Sequence, residues 1–253
     1  MKVLIPLPSY GFDPTESAVP WKYLTDAPQQ HTLTFATPDG TPGQADNRMV
    51  TGEGLGLFKS SMMADPVSLT FYREMLASAE FLKPILYSEI RGDDYDALLL
   101  PGGHDKGMRE YLESKILQKL VVEFFEADKP VAAICHGTLL VGRSVSDKTG
   151  YSVLYGRKTT GLTSWQERTA YNLTRLWLGN YYLTYPAIFM ADELKGYLER
   201  PGDFQCGPGV PIPTRRDTRE KPDGFTVRDG KYLSARWPGD AHRFATELLK
   251  LLS

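Results

Sequence analysis

The chain has 253 residues, of which 42% are hydrophobic and 24% are charged, and its formal net charge is −2. This length and balance are typical of a globular protein that buries a full core, and we expect one domain over residues 1–253. No basic stripe stands out, which argues against a protein that binds nucleic acid or a membrane surface by charge.

The cysteine count and the apolar runs indicate the compartment. Only two cysteines, Cys135 and Cys206, are present. A disulfide framework is therefore not expected, and a reducing compartment, the cytoplasm, is the default. No stretch approaches the roughly 18 apolar residues of a membrane-spanning helix. The apolar run at the N-terminus is too short for a signal peptide.

The first half of the chain predicts two strands, two helices and an insertion. Residues 2–6 are apolar enough for a short buried strand, and residues 31–37 alternate as a second strand. A helix over about 16–24 is expected between them. Glycines and polar residues are frequent over residues 39–66, and a helix over about 68–79 follows. We interpret residues 45–90 as an insertion between core elements that forms a small cap.

The second half alternates short apolar strands with amphipathic helices. The predicted elements are a strand over 97–100, a helix over 114–126 with one apolar face, a strand over 131–134, a helix over 138–144, a hairpin over 225–235 turning at Asp229-Gly230, and a closing helix over 242–252. This alternation predicts an α/β fold of the flavodoxin type, in which helices sandwich a doubly wound, mostly parallel sheet.

Chemically useful residues follow three of these predicted strands. Glu16 comes after the first strand, Gly102 and Gly103 after residues 97–100, and Cys135 after residues 131–134. In doubly wound sheets, sites lie at the carboxyl ends of the strands. We therefore expect these residues to converge at one edge of the sheet.

Cys135 is the candidate nucleophile. It stands in Ala133-Ile134-Cys135-His136-Gly137, at a strand-to-helix turn that would hold the thiol exposed and strained. The following helix would lower the pKa of the thiol. Gly137 would leave room for a substrate, and His136 would act as general acid or base. The alternative is a buried structural cysteine.

The remaining candidates are Gly102, Gly103 and Glu16. The two glycines could offer a backbone N–H to a developing oxyanion, although any tight turn could use Pro-Gly-Gly. Glu16 could be a first-turn acid that interacts with the helix dipole. If it lies beside the thiol instead, its pKa would rise, and it would stay protonated and donate a hydrogen bond.

Two other features are assigned no chemistry. The run of mixed charge from Pro213 to Lys221 is interpreted as a solvated loop rather than a phosphate site. Cys206 lies in a loop without neighbouring residues that could bind a metal with it. No metal and no organic cofactor are expected.

The motifs together resemble those of the ThiJ/PfpI family of the class I glutamine amidotransferase-like superfamily. The resemblance rests on residues 95–104, which include Pro101-Gly102-Gly103-His104, on residues 133–137, and on Glu16 in residues 11–16. It is strongest to the larger chaperone-and-glyoxalase branch. It implies a flavodoxin-like homodimer in which Cys135 is the nucleophile, Glu16 is hydrogen-bonded to it, His136 carries protons, and the amides of Gly103 and His136 hold an oxyanion.

The chain departs from that branch after the cysteine. Members often have an acid some 28 residues on, where it orients the histidine, and here Ser164 occupies that place. Glu167 is a possible substitute. The segment over about 165–190 is longer and more aromatic than the resemblance implies. It could shape a pocket or form a subunit contact.

Three functions remain open. The leading hypothesis is a glutathione-independent glyoxalase or deglycase that acts on small α-oxoaldehydes, such as the conversion of methylglyoxal to lactate, with a small carbonyl compound as its partner. The second is a cysteine amidase or peptidase. The third is a non-catalytic holding chaperone or oxidation sensor.

Overall fold

The main sheet of the protein has seven strands. The computed structural model describes residues 1–209 and 216–253. The strands of this sheet lie in the order Ile85–Leu86 (β5), Thr32–Thr37 (β3), Lys2–Pro6 (β1), Ala97–Leu100 (β6), Val131–Ile134 (β7), Tyr232–Ala235 (β9) and Thr226–Asp229 (β8). All neighbours are parallel except β8 and β9. The predicted doubly wound, mostly parallel sheet is confirmed.

Two further strands, Tyr10–Phe12 (β2) and Gln44–Ala45 (β4), form a separate parallel pair. The helices are Pro14–Asp26 (α1), Asn47–Thr51 (α2), Lys59–Met62 (α3), Pro66–Leu76 (α4), Ala79–Leu82 (α5), Arg109–Leu112 (α6), Lys115–Glu126 (α7), Gly137–Gly142 (α8), Ser164–Leu178 (α9), Met190–Lys195 (α10) and Ala241–Leu251 (α11). Helix α1 packs with α4 and α11, and α7 packs with α8, β6 and β7. Among the described residues, no helix has the length and apolar character needed to cross a membrane.

The strands of the core are continuous apolar runs. Every residue of β6 and β7 is buried, as is every residue of β1 after Lys2. Such runs are typical of parallel strands that are covered by helices on both faces. The strand order reverses on the two sides of β1, so the carboxyl ends of β1 and β6 flank the crevice in which doubly wound proteins bind ligands.

Helix α1 begins earlier than the sequence pattern predicted. The Asp13 side chain caps it by accepting hydrogen bonds from the backbone N–H groups of Thr15 (2.8 Å) and Glu16 (3.1 Å), and Pro14 occupies its first turn. Pro20 therefore lies inside the helix rather than near its start. The cap fixes the backbone of Glu16 and so sets the direction of its side chain.

The interval over residues 45–90 contributes to two parts of the molecule. Helix α4 packs on α1, and β5 is the edge strand of the main sheet. The part over residues 46–65 instead joins a second apolar cluster, which contains Met49, Leu55 and Tyr182, with Ala170 of α9 against it. The extent of the cap, and the treatment of the chain as one domain, stay predictions.

The charged run near the C-terminus is described only in part. Residues 213–215 lie outside the described residues. Arg216 to Lys221 form no helix or strand. Arg216 is 15% exposed, which is less than a solvated loop predicts.

Candidate active site

Cys135 occupies a strained turn between β7 and α8. Its φ is +55°, a left-handed conformation that a non-glycine residue adopts at a cost of roughly 1 kcal/mol or more. The backbone is held by Cys135 N donating to Ala235 O (3.0 Å) and by Thr138 Oγ1 donating to Cys135 O (2.7 Å). The turn is therefore an elbow as predicted, but Cys135 is only 4% exposed. The expectation of an exposed thiol is wrong, because Cys135 is buried and lines a cavity rather than the outer surface.

Glu16 is fully buried and lines the same cavity as Cys135. Burial raises the pKa of the Glu16 carboxyl well above its ordinary range, and the neighbouring charge of Asp13 raises it further. Interactions with the Cys135 thiol and the Gly102 N–H lower this pKa but do not offset burial. Neither carboxyl oxygen forms a regular hydrogen bond with the described residues. The raised pKa favours the neutral carboxylic acid beside the sulfur.

The surroundings of Cys135 favour the neutral thiol over the thiolate. Burial raises its pKa well above the ordinary value, and Glu16 and Asp13 add to the rise, whereas the backbone N–H of His136 lowers it. This result reverses the predicted lowering by the helix N-terminus. Helix α8 has only six residues. Its dipole lowers the thiol pKa by less than the removal of the sulfur from water raises it.

His136 is held between the nucleophile and Thr184. Its Nδ1 lies 3.5 Å from Cys135 Sγ, and its Nε2 lies 3.1 Å from Thr184 Oγ1. Burial, together with His104 and Arg143, lowers the pKa of His136 to about 3, so the ring is neutral. The single hydroxyl proton of Thr184 is donated to the backbone O of His104 (2.6 Å).

These contacts assign the tautomer of His136. Since Thr184 Oγ1 already gives its proton away, it can only accept from His136 Nε2. A neutral imidazole that is protonated on Nε2 has its lone pair on Nδ1. Nδ1 can therefore accept a hydrogen bond from the Cys135 thiol and serve as a base for it.

Glu167 is not hydrogen-bonded to His136 in the structure. Its Oε2 accepts a hydrogen bond from Met190 N (2.8 Å), while His136 Nε2 is paired with Thr184. Ser164 donates to Asp192 Oδ1. Glu167 is nevertheless buried in the cavity wall, and burial raises its pKa to about 7.

The three glycines serve mainly to bring backbones together. A Cβ on Gly102 would lie 2.6 Å from Ile134 O, 2.7 Å from Glu16 Oε2 and 2.8 Å from His136 N. A Cβ on Gly137 would lie 2.2 Å from Leu100 O. Gly137 thus allows close approach of the β6 end rather than leaving room for a substrate. Gly103, whose φ is +148°, does line the cavity.

The cavity has a volume of about 110 Å³ and joins elements from distant parts of the chain. Apolar and aromatic side chains form much of its wall: Met49, Met62, Leu162, Trp165, Ala170, Tyr182, Trp237 and Pro238. Its polar groups include Asp13, Glu16, His104, Cys135, Glu167 and Arg216. Such a cavity, apolar with a few convergent polar groups, is typical of a small-molecule site.

The aromatic segment over 165–190 has two sides. Trp165 and Tyr182 line the cavity, and the Tyr182 ring stacks on His104 with centroids 4.6 Å apart. On the outer side, Leu176 is 91% exposed and Trp177 is 49% exposed. The segment therefore shapes the pocket, and its outer side is open in the monomer.

Asp13, His104, Thr184 and Arg216 complete the site and were missing from the sequence-based set. Asp13 and His104 lie inside motifs that were recognised, so the cap signal and the Gly-Gly-His run could have found them. Thr184 has no such signal. Within the described residues, no group of three or more histidine, cysteine or acidic side chains is arranged to hold a metal ion.

The fold and this geometry define a doubly wound α/β protein with a cysteine at a strained strand-to-helix elbow. A family model described as ThiJ/PfpI family-like matches residues 7–208. Since this match covers most of the 253 residues, the chain belongs to the ThiJ/PfpI family.

Relatives and solved structures agree with this assignment. The chain is 32% identical over 167 residues to a glutathione-independent glyoxalase of Saccharomyces cerevisiae, a match that covers 65% of the chain and 60% of that relative. It is 26% identical over 162 residues to glyoxalase 3 of Candida albicans, covering 64% of the chain and 60% of the relative. The crystal structure of Candida albicans glyoxalase III superposes with a TM-score of 0.70 at 21% identity, over 99% of this chain and 97% of that one, which supports the fold.

Proposed function

We propose that the protein is a cysteine-dependent enzyme that converts small α-oxoaldehydes to 2-hydroxy acids without glutathione. The observation that carries this proposal is that Cys135 and Glu16, whose carboxyl pKa is raised well above its ordinary value by burial, line one cavity of about 110 Å³. A nucleophile and an acid are the two groups that addition to an aldehyde needs. The names of the two glyoxalase relatives support the same chemistry.

The first step is addition of the sulfur to the aldehyde. His136 Nδ1 takes the thiol proton as Sγ bonds to the aldehyde carbon, and Glu16 gives its proton to the aldehyde oxygen. The product is a hemithioacetal. A neutral His136 is too weak a base to ionise the thiol at rest, so proton transfer and addition are concerted. In this proposal, the backbone N–H groups of Gly103 and His136 stabilise the negative charge that develops on this oxygen.

Glu16, now a carboxylate, can act as a base in the second step. It removes the proton from the former aldehyde carbon, and the electron pair moves toward the neighbouring carbonyl, whose oxygen receives the proton from His136. Glu16 then returns the removed proton to the adjacent carbon of the enediol. Glu16 next removes the proton from the hydroxyl on the carbon that carries the sulfur, which leaves a thioester. Water then releases the 2-hydroxy acid and restores the thiol.

The site favours this reaction over amide hydrolysis. A cysteine amidase needs an imidazolium that protonates the leaving amine, and a carboxylate usually orients that ring. The neutral hydroxyl of Thr184 is the Nε2 partner here, and burial lowers the pKa of His136 to about 3. These contacts provide no carboxylate that would orient the ring for transfer of its proton to a leaving amine.

The test is lactate formation from methylglyoxal in the absence of glutathione. The wild type should turn over at about 1 s⁻¹ or faster, the low end for enzymes. Both Cys135→Ala and Glu16→Gln should lose this activity. Cys206→Ala is the matched control, since Cys206 is exposed and lies outside the cavity, and it should retain the activity. Absence of lactate from the wild type would exclude this substrate class, and lactate from Cys135→Ala would exclude the nucleophile.

A further inference from the structure

Arg216 brings a permanent positive charge to the cavity. It is the only lysine or arginine among the described residues that line it. The sequence alone suggested that this part of the chain was a solvated loop, and the proposed reaction does not use the residue.

The guanidinium group is anchored on one side and unsatisfied on the other. Arg216 Nη2 donates to Met63 O at 2.7 Å. Arg216 Nη1 is shielded from solvent and has no hydrogen-bond partner among the described residues. The nearest paired acid, Asp65, lies 4.0 Å from Nη1, and its carboxylate is already engaged by the backbone N–H and hydroxyl of Ser68. A buried donor without an acceptor is destabilising, and a bound anion would supply the missing acceptor.

The acids that line the cavity form no hydrogen bond with Arg216 Nη1. Burial raises the pKa of Asp13, Glu16 and Glu167, the last to about 7, and a raised pKa favours the neutral carboxyl group. Asp65, the acid paired with Arg216 at 4.0 Å, is not part of the cavity lining. An anionic ligand would therefore reach Arg216 from the side of the cavity.

We propose that the site selects carbonyl compounds that also carry a carboxylate, and that this carboxylate is held by Arg216 Nη1 while Cys135 attacks the carbonyl. The apolar wall, including Met49, Met62 and Trp165, would pack on the short carbon chain between the two groups. Arginine suits this role because its planar fork matches a carboxylate. The identity of the reaction rests on the proposed function, whereas recognition of the anion does not.

Alkylation tests anion recognition without turnover. Iodoacetate and iodoacetamide differ only in charge and react with both free cysteines, so the exposed Cys206 serves as an internal reference. In the wild type, the iodoacetate-to-iodoacetamide rate ratio should be at least about tenfold higher at Cys135 than at Cys206, the low end for a hydrogen bond to a charged group. Mass spectrometry of the two cysteine peptides gives both rates. Equal ratios at the two cysteines would overturn the proposal.

Variants then assign the effect to the guanidinium group. Arg216→Met should abolish the preference for iodoacetate, and Arg216→Lys should restore part of it. Arg219→Met is the matched control, because Arg219 pairs with Asp26 outside the cavity and should leave the ratio unchanged. Persistence of the wild-type ratio in Arg216→Met would also overturn the proposal.

Turnover separates this proposal from the proposed function. The probes are 4,5-dioxopentanoate, an α-oxoaldehyde with a carboxylate, and its neutral methyl ester. The wild type should prefer the acid in kcat/KM by about tenfold, and Arg216→Met should lose this preference. A raised alkylation ratio without turnover of either probe would refute the proposed reaction and support the anion site. Turnover with equal kcat/KM for both probes would refute the anion site and support the reaction.

Discussion

Thr184 Oγ1 accepts a hydrogen bond from His136 Nε2 across 3.1 Å and donates its own proton to His104 O across 2.6 Å. This chain of two bonds does with a neutral hydroxyl what other cysteine sites do with a carboxylate, namely fix the ring and its tautomer. The difference is electrostatic. A carboxylate would stabilise an imidazolium, whereas a hydroxyl leaves His136 neutral and ready to accept the thiol proton only as the substrate reacts.

Replacing Thr184 should therefore affect catalysis more than binding. Thr184→Val leaves the Nε2–H without an acceptor, and we expect kcat for methylglyoxal to fall by about 10²-fold. KM should change little, because Thr184 does not line the cavity. Thr184→Ser keeps the hydroxyl and should restore most of kcat. Nitrogen NMR of His136 should show Nε2 protonated in the wild type; protonation on Nδ1 would contradict the assigned tautomer.

Replacing Glu167, unlike replacing Thr184, should have little effect on catalysis. Its carboxylate contacts Met190 N rather than His136, and a glutamine oxygen can accept the same bond. Glu167→Gln should therefore change kcat by less than about threefold, well below the loss expected for a general base or its partner. A loss as large as that of Thr184→Val would show that Glu167 does orient the histidine during turnover.

The resting state of the nucleophile can be measured directly. Because burial and the nearby acids raise the pKa of the Cys135 thiol, the wild type should show no thiolate absorbance in the ultraviolet at neutral pH beyond that of Cys135→Ser. The absorbance should appear only as the solution becomes strongly alkaline. A thiolate signal at neutral pH would mean that the neutral thiol–acid pair is wrongly assigned.

Much of the fold was predictable, because the core strands are unbroken apolar runs. Residues 97–100 and 131–134 were predicted with the bounds of β6 and β7. Strand β5 has two residues, too few for a periodic pattern to show, and it was assigned to the insertion. The early start of α1 had a signal, the cap by Asp13 followed by Pro14, that the apolar pattern alone does not contain.

The candidate site was less predictable, because two of its properties depend on tertiary structure. Thr184 lies 48 residues after His136, and no motif connects them. The pKa of Cys135 depends on burial and on Asp13 and Glu16, which a strand-to-helix pattern cannot reveal. The convergence of Glu16 and Cys135 was predictable, since it follows from the topology of parallel strands.

Gly102 should be sensitive to the smallest possible side chain. A Cβ there would lie 2.6 Å from Ile134 O and 2.8 Å from His136 N, and these backbone atoms cannot rotate away. Gly102→Ala should lower the free energy of unfolding by about 1–3 kcal/mol, as overpacking does, and should reduce activity by moving the elbow. Urea unfolding measures the first effect. Gly202→Ala, where a Cβ would meet open space, is the control, and equal midpoints for the two variants would refute the close-packing argument.

The buried acid should also make stability depend on pH. The pKa of Glu16 is raised in the folded protein above the ordinary value of 4.5, so above that pH the folded chain keeps a proton that the unfolded chain releases. The contribution of Glu16 to the free energy of unfolding then falls as pH rises, by up to about 1.4 kcal/mol per pH unit, until Glu16 ionises in the fold.

Glu16→Gln removes this titration and should give a flatter stability curve. Other acids with a raised pKa, such as Asp217 and Glu167 at about 7, affect the pH dependence of stability in both proteins. The difference between the two stability curves therefore isolates the effect of Glu16. Urea unfolding from about pH 4 to about pH 8 should show that the free energy of unfolding of the variant rises relative to that of the wild type with each pH unit. Parallel curves would mean that Glu16 is already ionised in the fold, and the carboxylic acid required for the first step of the proposed reaction would be absent.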